Sequence, residues 1–243
     1  MFNDTFFYAV TDSARRPELS QLLEDIGCVH WKTRPLPSDR PGLVLDFEGL
    51  RLFTPDVKPQ YWHPGMAHLR LRRKHDPLLT ALDCQRGERV LDCTMGLGHD
   101  TMVMSNAGLQ VTALEQCAPL TVFTNQGIHE YRPSLMKRIQ MRCTDFKHAL
   151  MIAQTDQYDA VYLDPMFDKN AHTLKGFAWS MMRKLGLSGE RFSHADIRHA
   201  YRVARTTVVL KLSPLEKPPM IEGLPPPSLE GSRRVKFARW KVQ

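Results

Sequence analysis

Apolar positions in the first sixty residues follow strand-like spacing in some stretches and helix-like spacing in others. Residues 5–10 have the composition of a short strand, and residues 17–26 place their leucines at helical spacing. Residues 43–53 alternate around a glycine, which predicts a strand pair or one bent strand. Prolines then predict a linker, at Pro55, Pro59 and Pro64. These patterns predict a small α/β module over residues 1–60.

After residue 75, apolar runs of strand length alternate with stretches of helical spacing. A helix is predicted over 76–84, where Pro77 suits the first turn. The predicted strands that follow are 88–93, 110–115, 139–143, 158–163 and 206–212, and the predicted helices between them are 99–107, 118–128, 146–153 and 193–204. Strands that alternate with helices predict an α/β fold with a mostly parallel, doubly wound sheet.

The end of the chain departs from this alternation. Residues 214–232 are rich in proline and glycine, which predicts a loop. Residues 233–241 are short, alternating and basic, which predicts a final edge strand. Together with the alternating region, these segments predict a second, larger domain over residues 61–243.

Composition excludes several classes of protein. The chain has 243 residues, of which 42% are hydrophobic and 24% charged, enough for one large core and a small appendage. No segment approaches the roughly 18 consecutive apolar residues of a membrane span. The cysteines are odd in number, five, and contain no CxxC pair, which argues against a disulfide framework or a zinc ribbon. We expect a cytoplasmic protein without a membrane or a metal partner.

A strand, a glycine turn and a helix start occur together in VLDCTMGLGHD, residues 90–100. Asp92, at the carboxyl end of the strand, would face the crevice where open α/β sheets bind ligands. Glu115 closes the next strand, where a carboxylate can accept both hydroxyls of a ribose. The turn lacks the third glycine of the NAD fingerprint, and an acid suits the cation S-adenosylmethionine (SAM) better than a pyrophosphate. A turn that only links strand to helix is the alternative.

A second polar motif follows the predicted strand 158–163, as Asp164-Pro165-Met166-Phe167. Pro165 restricts Asp164 to an extended conformation. The Asp164 carboxylate could accept hydrogen bonds from an amine, and Phe167 could stack on a flat base. The motif resembles the (D/N)PP(Y/F) sequence of methyltransferases that act on exocyclic amines of nucleobases, with Met166 at the second proline. A simple Asp-Pro turn at the end of a strand is the alternative.

The motifs DCTMGLGHD, ALE and YLDPMF, in this order and spacing, resemble the class I SAM-dependent methyltransferases. Within them, the chain is similar to the RsmJ-type guanine-N2 methyltransferases of small-subunit ribosomal RNA and their uncharacterised bacterial relatives. The resemblance covers residues 61–212 and includes WHPGMAHLRLRR at 62–73 and VVLK at 208–211. It implies a Rossmann-like class I methyltransferase fold with SAM as the cofactor.

The resemblance also implies roles for individual residues. The SAM contacts that it implies are Asp92, Thr94, Gly96, Gly98 and Asp100, with the ribose at Glu115 and the adenine near Asp145. The residues that it implies for holding the target amine are Asp164, Pro165, Met166 and Phe167. Asp145 has an alternative role as the N-cap of the predicted helix that begins at Phe146, and one residue could do both.

Two basic stretches flank the predicted catalytic core. Candidate substrate-binding residues in the first are His68, Arg70, Arg72 and Arg73, and the second contains Arg233, Arg234, Lys236, Arg239 and Lys241 with Phe237 and Trp240 between them. With a net charge of +7, basic and aromatic residues together favour an RNA partner. A solvated face is the alternative, and His68 and Arg70 could instead line the SAM pocket.

The sequence therefore predicts a SAM-dependent methyltransferase that acts on an exocyclic base amine, with guanine N2 of small-subunit ribosomal RNA as the leading substrate. A DNA or small-amine substrate is one alternative, although the chain has little room for a separate DNA-recognition domain. A SAM-binding module without activity is the other, and the intact Asp164 and Phe167 argue against it.

Overall fold

The structure is a computed structural model, and it describes residues 7–10, 21, 23–25, 28–30, 41–46, 48–54, 57–165, 192–232 and 235–243. Within these residues the strands form a five-stranded and a seven-stranded sheet. No helix in the described part of the chain is long and apolar enough to cross a membrane.

The five-stranded sheet lies in the first part of the chain, with the order β2-β1-β3-β4-β5. Its strands are β1 (Phe7–Val10), β2 (Val29–His30), β3 (Gly42–Leu45), β4 (Leu50–Thr54) and β5 (Val57–Tyr61). The strand pair predicted over 43–53 is confirmed, because β3 and β4 pair antiparallel. The linker predicted after residue 54 is wrong over 57–61, where β5 pairs with β4. Pro59 is compatible with β5 because an edge strand needs no donor on its outer side.

The seven-stranded sheet has the order β11-β12-β10-β9-β6-β7-β8. Its strands are β6 (Arg89–Asp92), β7 (Gln110–Glu115), β8 (Ile139–Cys143), β9 (Tyr158–Leu163), β10 (Ala204–Leu212), β11 (Ser228–Gly231) and β12 (Lys236–Lys241). Strands β6 to β10 are mutually parallel, whereas β12 runs antiparallel to β10. The mostly parallel sheet predicted from the alternating pattern is therefore confirmed.

Helices connect most of the parallel strands. They are α1 (Ala67–Arg70), α2 (Pro77–Leu82), α3 (His99–Asn106), α4 (Ala118–Tyr131), α5 (Pro133–Met136), α6 (Phe146–Ile152) and α7 (His194–Val203). Each helix predicted after residue 75 is present, with ends that differ by up to three residues. Among the described residues near the amino terminus, 21 and 23–25 are helical, within the helix predicted over 17–26.

Two predictions for the end of the chain are wrong. Residues 228–231 form β11 inside the predicted loop, and β12 consequently lies between β10 and β11 instead of at the edge. The central place of β12 explains why Phe237 and Trp240 are buried. β11 itself is four residues long and mostly exposed, so its apolar pattern was too weak to predict a strand.

The strand order reverses at the boundary between β6 and β9. From β6 the chain moves outward to β7 and β8, and it then returns to place β9 and β10 on the other side of β6. Open α/β sheets bind ligands at the carboxyl ends of the strands at such a reversal. The fold therefore predicts a site where β6, β7, β9 and β10 end.

The five-stranded sheet packs against helix α4 through a shared apolar cluster. Leu43 and Leu52 of the first sheet belong to the same buried group as Leu120 and Phe123 of α4. The predicted boundary between a module at 1–60 and a domain at 61–243 stays a prediction.

Candidate active site

Polar side chains from both sequence motifs meet at the carboxyl edge of the second sheet. Asp92 is paired with Tyr162 in the register of β6 and β9, so the strand ends lie side by side. The hydroxyl of Thr94 accepts a hydrogen bond from the backbone N–H of Asp164 at 3.0 Å. This bond joins the glycine turn after β6 to the Asp-Pro turn after β9. The structure thus brings together two motifs that are 70 residues apart in sequence.

Asp92 is a buried carboxylate at the centre of this edge. Its Oδ2 accepts from the Thr101 hydroxyl at 2.6 Å, and its Oδ1 accepts from the backbone N–H of Thr94 at 3.2 Å. Burial raises the pKa of Asp92 to about 7, and the bond from Thr101 opposes that rise. A buried carboxylate with this pKa would be stabilised by a cation placed beside it.

Glu115 holds the glycine turn against the end of β7. Its Oε2 accepts from the backbone N–H of Gly96 at 3.1 Å, and its Oε1 accepts from the N–H of Cys117 at 2.8 Å. Burial raises the pKa of Glu115, and these backbone bonds oppose the rise. A carboxylate offers about four acceptor positions. Glu115 therefore keeps capacity to accept further hydroxyl groups from a ligand.

The backbone conformation and the packing of the turn explain why it contains glycines. Gly96 and Gly98 have φ angles of 53° and 72°, in the left-handed region that favours glycine. A Cβ at Gly98 would lie 2.7 Å from Ile128 and 2.9 Å from Thr124 of α4. Gly98 is thus required by the packing of α3 on α4, in addition to any approach of a ligand.

An alternating series of charges crosses the site. Arg70 donates two hydrogen bonds to Asp76, at 2.8 and 2.9 Å, and a third to Asp100. The Lys211 ammonium lies 3.2 Å from Oδ2 of Asp100 and 2.6 Å from Oδ2 of Asp164. We call the series Asp76–Arg70–Asp100–Lys211–Asp164 the ion-pair ladder. Since its two cations lie between its three acids, the ladder leaves no buried charge of the series unpaired.

The ladder sets the ionisation of its acids. Burial opposes ionisation of Asp100, but Lys211 and Arg70 hold the pKa of that carboxyl well below its usual range. The Tyr162 hydroxyl also donates to Asp100, at 2.7 Å. Burial raises the pKa of Asp164 to about 6, with Lys211 opposing the rise and Asp100 adding to it. Of the two acids that bond Lys211, Asp164 is therefore the one whose pKa is closer to neutral pH.

The remaining predicted site residues fall in three places. Asp145 is the exposed N-cap of α6, and its carboxylate accepts from the backbone N–H of Lys147 at 3.0 Å. The next residue, Phe146, packs on Phe192 with 4.7 Å between the ring centroids. Pro165 directly follows Asp164 at the same strand end. Met166 and Phe167 lie outside the described residues.

The first basic stretch is divided by the structure. His68 bonds to the Tyr131 hydroxyl at 2.8 Å, and Arg70 is held in the ion-pair ladder. Arg72 and Arg73, with Lys74 and His75 after them, are exposed. In the second stretch, Arg239 is buried and paired with Asp83 and Glu230, whereas Arg233 and Arg234 lie outside the described residues. The structure therefore separates one exposed basic surface from cations with internal partners.

Sequence reasoning missed four residues of the site. They are Asp76, Thr101, Tyr162 and Lys211. Lys211 did carry a signal, because it is the only charged residue in the otherwise apolar run VVLKL at 208–212. In the described part of the chain, no group of three or more His, Cys, Asp and Glu side chains could hold a metal ion.

Comparison with known proteins identifies the family. A family model described as "Putative SAM-dependent methyltransferase" matches residues 55–240. The chain belongs to this methyltransferase family. The methyltransferase is 31% identical over 188 residues to the uncharacterized protein YpiP of Bacillus subtilis, covering 72% of each chain.

Curated ribosomal RNA small subunit methyltransferases J match over shorter lengths. The protein of Alcanivorax borkumensis is 37% identical over 114 residues, 44% of each chain. The protein of Psychrobacter arcticus is 29% identical over 150 residues, 56% of this chain and 51% of the relative. The methyltransferase thus spans about half the length of these relatives.

A solved structure confirms the class I methyltransferase fold. The SAM-dependent methyltransferase NGO1261 of Neisseria gonorrhoeae superposes with a TM-score of 0.72 at 20% identity, covering 97% of this chain and 95% of that one. The cofactor of the methyltransferase is SAM, as its family and fold imply. The site fits this cofactor, because buried carboxylates at Asp92 and Glu115 match a ligand that carries cationic groups and ribose hydroxyls.

Proposed function

We propose that the methyltransferase transfers a methyl group from SAM to an exocyclic base amine in RNA, with guanine N2 of small-subunit ribosomal RNA as the target. The observation that carries this proposal is the position of Asp164, a carboxylate fixed at the cofactor crevice by Lys211 and Thr94. The names of the ribosomal RNA methyltransferase relatives support the choice of RNA.

An exocyclic amine needs help because its lone pair is delocalised into the ring. Asp164 and nearby backbone carbonyls accept its N–H groups, which turns the lone pair toward the methyl group. Orientation and a preorganised acceptor together lower the barrier. SAM, held at the strand ends, would supply an electrophilic methyl group to this nitrogen, and its sulfur would keep the electron pair of the sulfur–methyl bond. The surplus proton on nitrogen leaves to the Asp164 carboxylate.

Asp164 has the acceptor capacity that this role requires. Lys211 occupies Oδ2, and the side chain remains 25% exposed at the crevice. We also assign Pro165, Met166 and Phe167, the residues next in the motif, to the proposed amine site, and we assign Phe167 to stacking on the target base.

Cofactor binding is assigned to the turn and the strand ends beside Asp164. We assign the methionine part of SAM to Asp92, Thr94, Gly96 and Gly98, the ribose to Glu115 and the adenine to the region of Asp145. The Asp100 carboxylate already accepts hydrogen bonds from Arg70, Lys211 and Tyr162. We therefore assign Asp100 to the support of the site through the ion-pair ladder.

RNA binding is assigned to the exposed basic surface, Arg72 to His75. This surface continues from Arg70, two residues before it in the chain, and so leads from the ion-pair ladder to solvent. Exposed cations of this kind bind phosphates without reading sequence. His68 lies at the start of the same stretch but is held by the Tyr131 hydroxyl, so we propose it as a separate substrate contact outside the exposed basic surface. We propose the cytoplasm as the compartment, where ribosomal RNA is available.

Labelled methyl transfer tests the proposal. The purified chain is incubated with methyl-labelled SAM and, in parallel, with ribosomal RNA, duplex DNA and small amines. We expect label in RNA alone, and loss of that label in Asp164→Ala with SAM binding retained. Label in DNA or in a small amine would assign the same site to the alternative substrates. Cofactor binding without transfer to any of them would favour a binding module without activity.

A further inference from the structure

Lys211 lies in β10 at a position from which its ammonium contacts two acids. In the parallel pairing of β10 with β9, Leu210 is opposite Leu163, so Lys211 is level with Asp164. Its side chain is 26% exposed and its ammonium bonds both Asp164 and Asp100. The backbone register therefore fixes a lysine beside the proposed amine acceptor.

The surroundings of Asp164 are otherwise unfavourable to a second negative charge. Titratable groups that act electrostatically on Asp164 or Lys211 include Asp92 of β6, Asp100 and His99 of α3 and Tyr162 of β9. Arg70 is directed to Asp76 and Asp100, not to Asp164. Lys211 is thus the cation in direct contact with Asp164 among the described residues.

The contact with Lys211 also leaves one carboxylate oxygen of Asp164 available as a hydrogen-bond acceptor. Lys211 bonds Oδ2 of Asp164, and Thr94 holds the backbone N–H of the same residue. A carboxylate held at one oxygen and at its backbone has little freedom to rotate. The second oxygen keeps its acceptor positions for an incoming N–H group.

We propose that Lys211 is a positioning residue for methyl transfer, keeping Asp164 ionised and oriented toward the target amine. This inference rests on the proposed function. It makes Lys211 necessary for Asp164 to accept the amine N–H and its departing proton near neutral pH. A lysine with a merely structural role would affect folding or total activity, but it would not determine the pH at which Asp164 gains a proton.

The test uses the full chain with Lys211→Met and Lys211→Arg, and with Lys137→Met as a matched control at an exposed lysine that follows α5. Two quantities are measured for each protein. The first is the pH profile of methyl transfer to ribosomal RNA. The second is the pKa of the Asp164 carboxyl from carbon NMR titration, assigned with Asp164→Asn.

Loss of the ammonium should raise the pKa of Asp164, because the carboxylate then lies beside Asp100 without a counter-ion. For Lys211→Met we expect the acidic limb of the profile to move to higher pH. Below the new pKa, activity should fall about tenfold for each unit of that movement. The deficit should shrink as pH rises. Lys211→Arg and Lys137→Met should keep the wild-type limb and the wild-type pKa of Asp164.

An even loss of activity at all pH values, with an unchanged pKa of Asp164, would overturn the inference. The NMR titration needs no substrate, so it still tests the Lys211–Asp164 relation if the wild type transfers no methyl group to RNA. That failure would instead remove the proposed function. If Lys211→Met does not fold, Lys211→Arg still tests the inference, because arginine keeps the positive charge beside Asp164. A displaced acidic limb in Lys211→Arg would contradict the inference.

Discussion

Arg70 and its neighbours Arg72 and Arg73 are alike in sequence and differ in the structure. Arg70 is largely buried and donates three hydrogen bonds to Asp76 and Asp100. Arg72 and Arg73 are exposed and form no ion pair with the described residues. The same residue type therefore lies in the ion-pair ladder in one case and on the exposed basic surface in the other.

The difference separates two kinds of electrostatic effect. Buried, paired charges are screened little by salt, and loss of one partner leaves a buried charge uncompensated. Exposed charges act through counter-ion release and depend strongly on salt. Variants of the buried site should therefore lose catalysis or cofactor binding at any salt concentration. Variants of the basic surface should lose RNA binding in a salt-dependent way.

The largest effect is expected at the buried site, in Asp164→Ala. Methyl transfer should fall by about 10²–10³, as for the loss of one preorganised polar group. SAM affinity measured by calorimetry should remain, because the side chain acts on the amine. Asp164→Asn keeps an acceptor oxygen without the charge, so its rate of methyl transfer should lie between those of the wild type and Asp164→Ala. Near-normal turnover in Asp164→Ala would leave the backbone carbonyls as the acceptors.

Glu115→Ala should weaken SAM binding and leave RNA binding unchanged. It removes the carboxylate proposed for the ribose and also the anchor of the Gly96 and Cys117 N–H groups. SAM binding should weaken by about 1–3 kcal/mol, the range for hydrogen bonds to charged groups. Glu222→Ala, at an exposed carboxylate, is the control and should bind SAM as the wild type does. Unchanged affinity in Glu115→Ala would mean that the ribose is held elsewhere.

Reversal of the exposed charges, Arg72→Glu with Arg73→Glu, should weaken RNA binding. Each lost phosphate contact reduces the salt slope by about 0.7 on single strands, so two contacts correspond to about 25-fold in affinity at 0.1 M salt. SAM binding should not change. Arg86→Glu with Arg198→Glu gives the same change in net charge at other exposed positions. The assignment of the basic surface is falsified if both pairs of reversals weaken RNA binding equally.

The last expected effect concerns the stability of the cofactor-free protein. Burial raises the folded-state pKa of Asp92 to about 7, above its unfolded value. The unfolded state then loses its proton first, so the free energy of unfolding falls as pH rises from about 4 to about 7. Asp92→Asn removes this dependence and should raise Tm relative to the wild type at pH 8 more than at pH 5. Each 1 kcal/mol corresponds to about 2–4 °C at this chain length.

Thermal melts at the two pH values measure this difference. An equal Tm difference at pH 5 and pH 8 would show that Asp92 is ionised across the range. The same variant should bind SAM more weakly at both values, since the amide cannot compensate a cation.

Local patterns predicted the parallel part of the second sheet well. The predicted strands 110–115, 139–143 and 158–163 have the same ends in the structure, because polar or turn residues bound each apolar run. β5 and β11 were missed for a shared reason. Both are short edge strands, and what makes them strands is pairing with a distant partner, which no local pattern carries.

The candidate site divides in the same way. Asp92, Glu115 and Asp164 could be predicted because each stands at the end of a recognisable strand. The role of Lys211 depends on the register of β10 against β9, 47 residues away, and that of Arg70 on Asp100, 30 residues away. Sequence spacing indicates which residues stand at strand ends, whereas their partners follow only from the assembled sheet.

The most direct test of the central claim is the nucleoside composition of small-subunit ribosomal RNA. RNA from a strain that lacks this gene is compared with RNA from the parent, and from the deletion strain supplied with either the wild-type gene or Asp164→Ala. The account predicts that N2-methylguanosine at one position is missing from the deletion strain, and that the wild-type gene restores it while Asp164→Ala does not. Identical nucleoside composition in all four RNA samples would contradict a ribosomal RNA substrate.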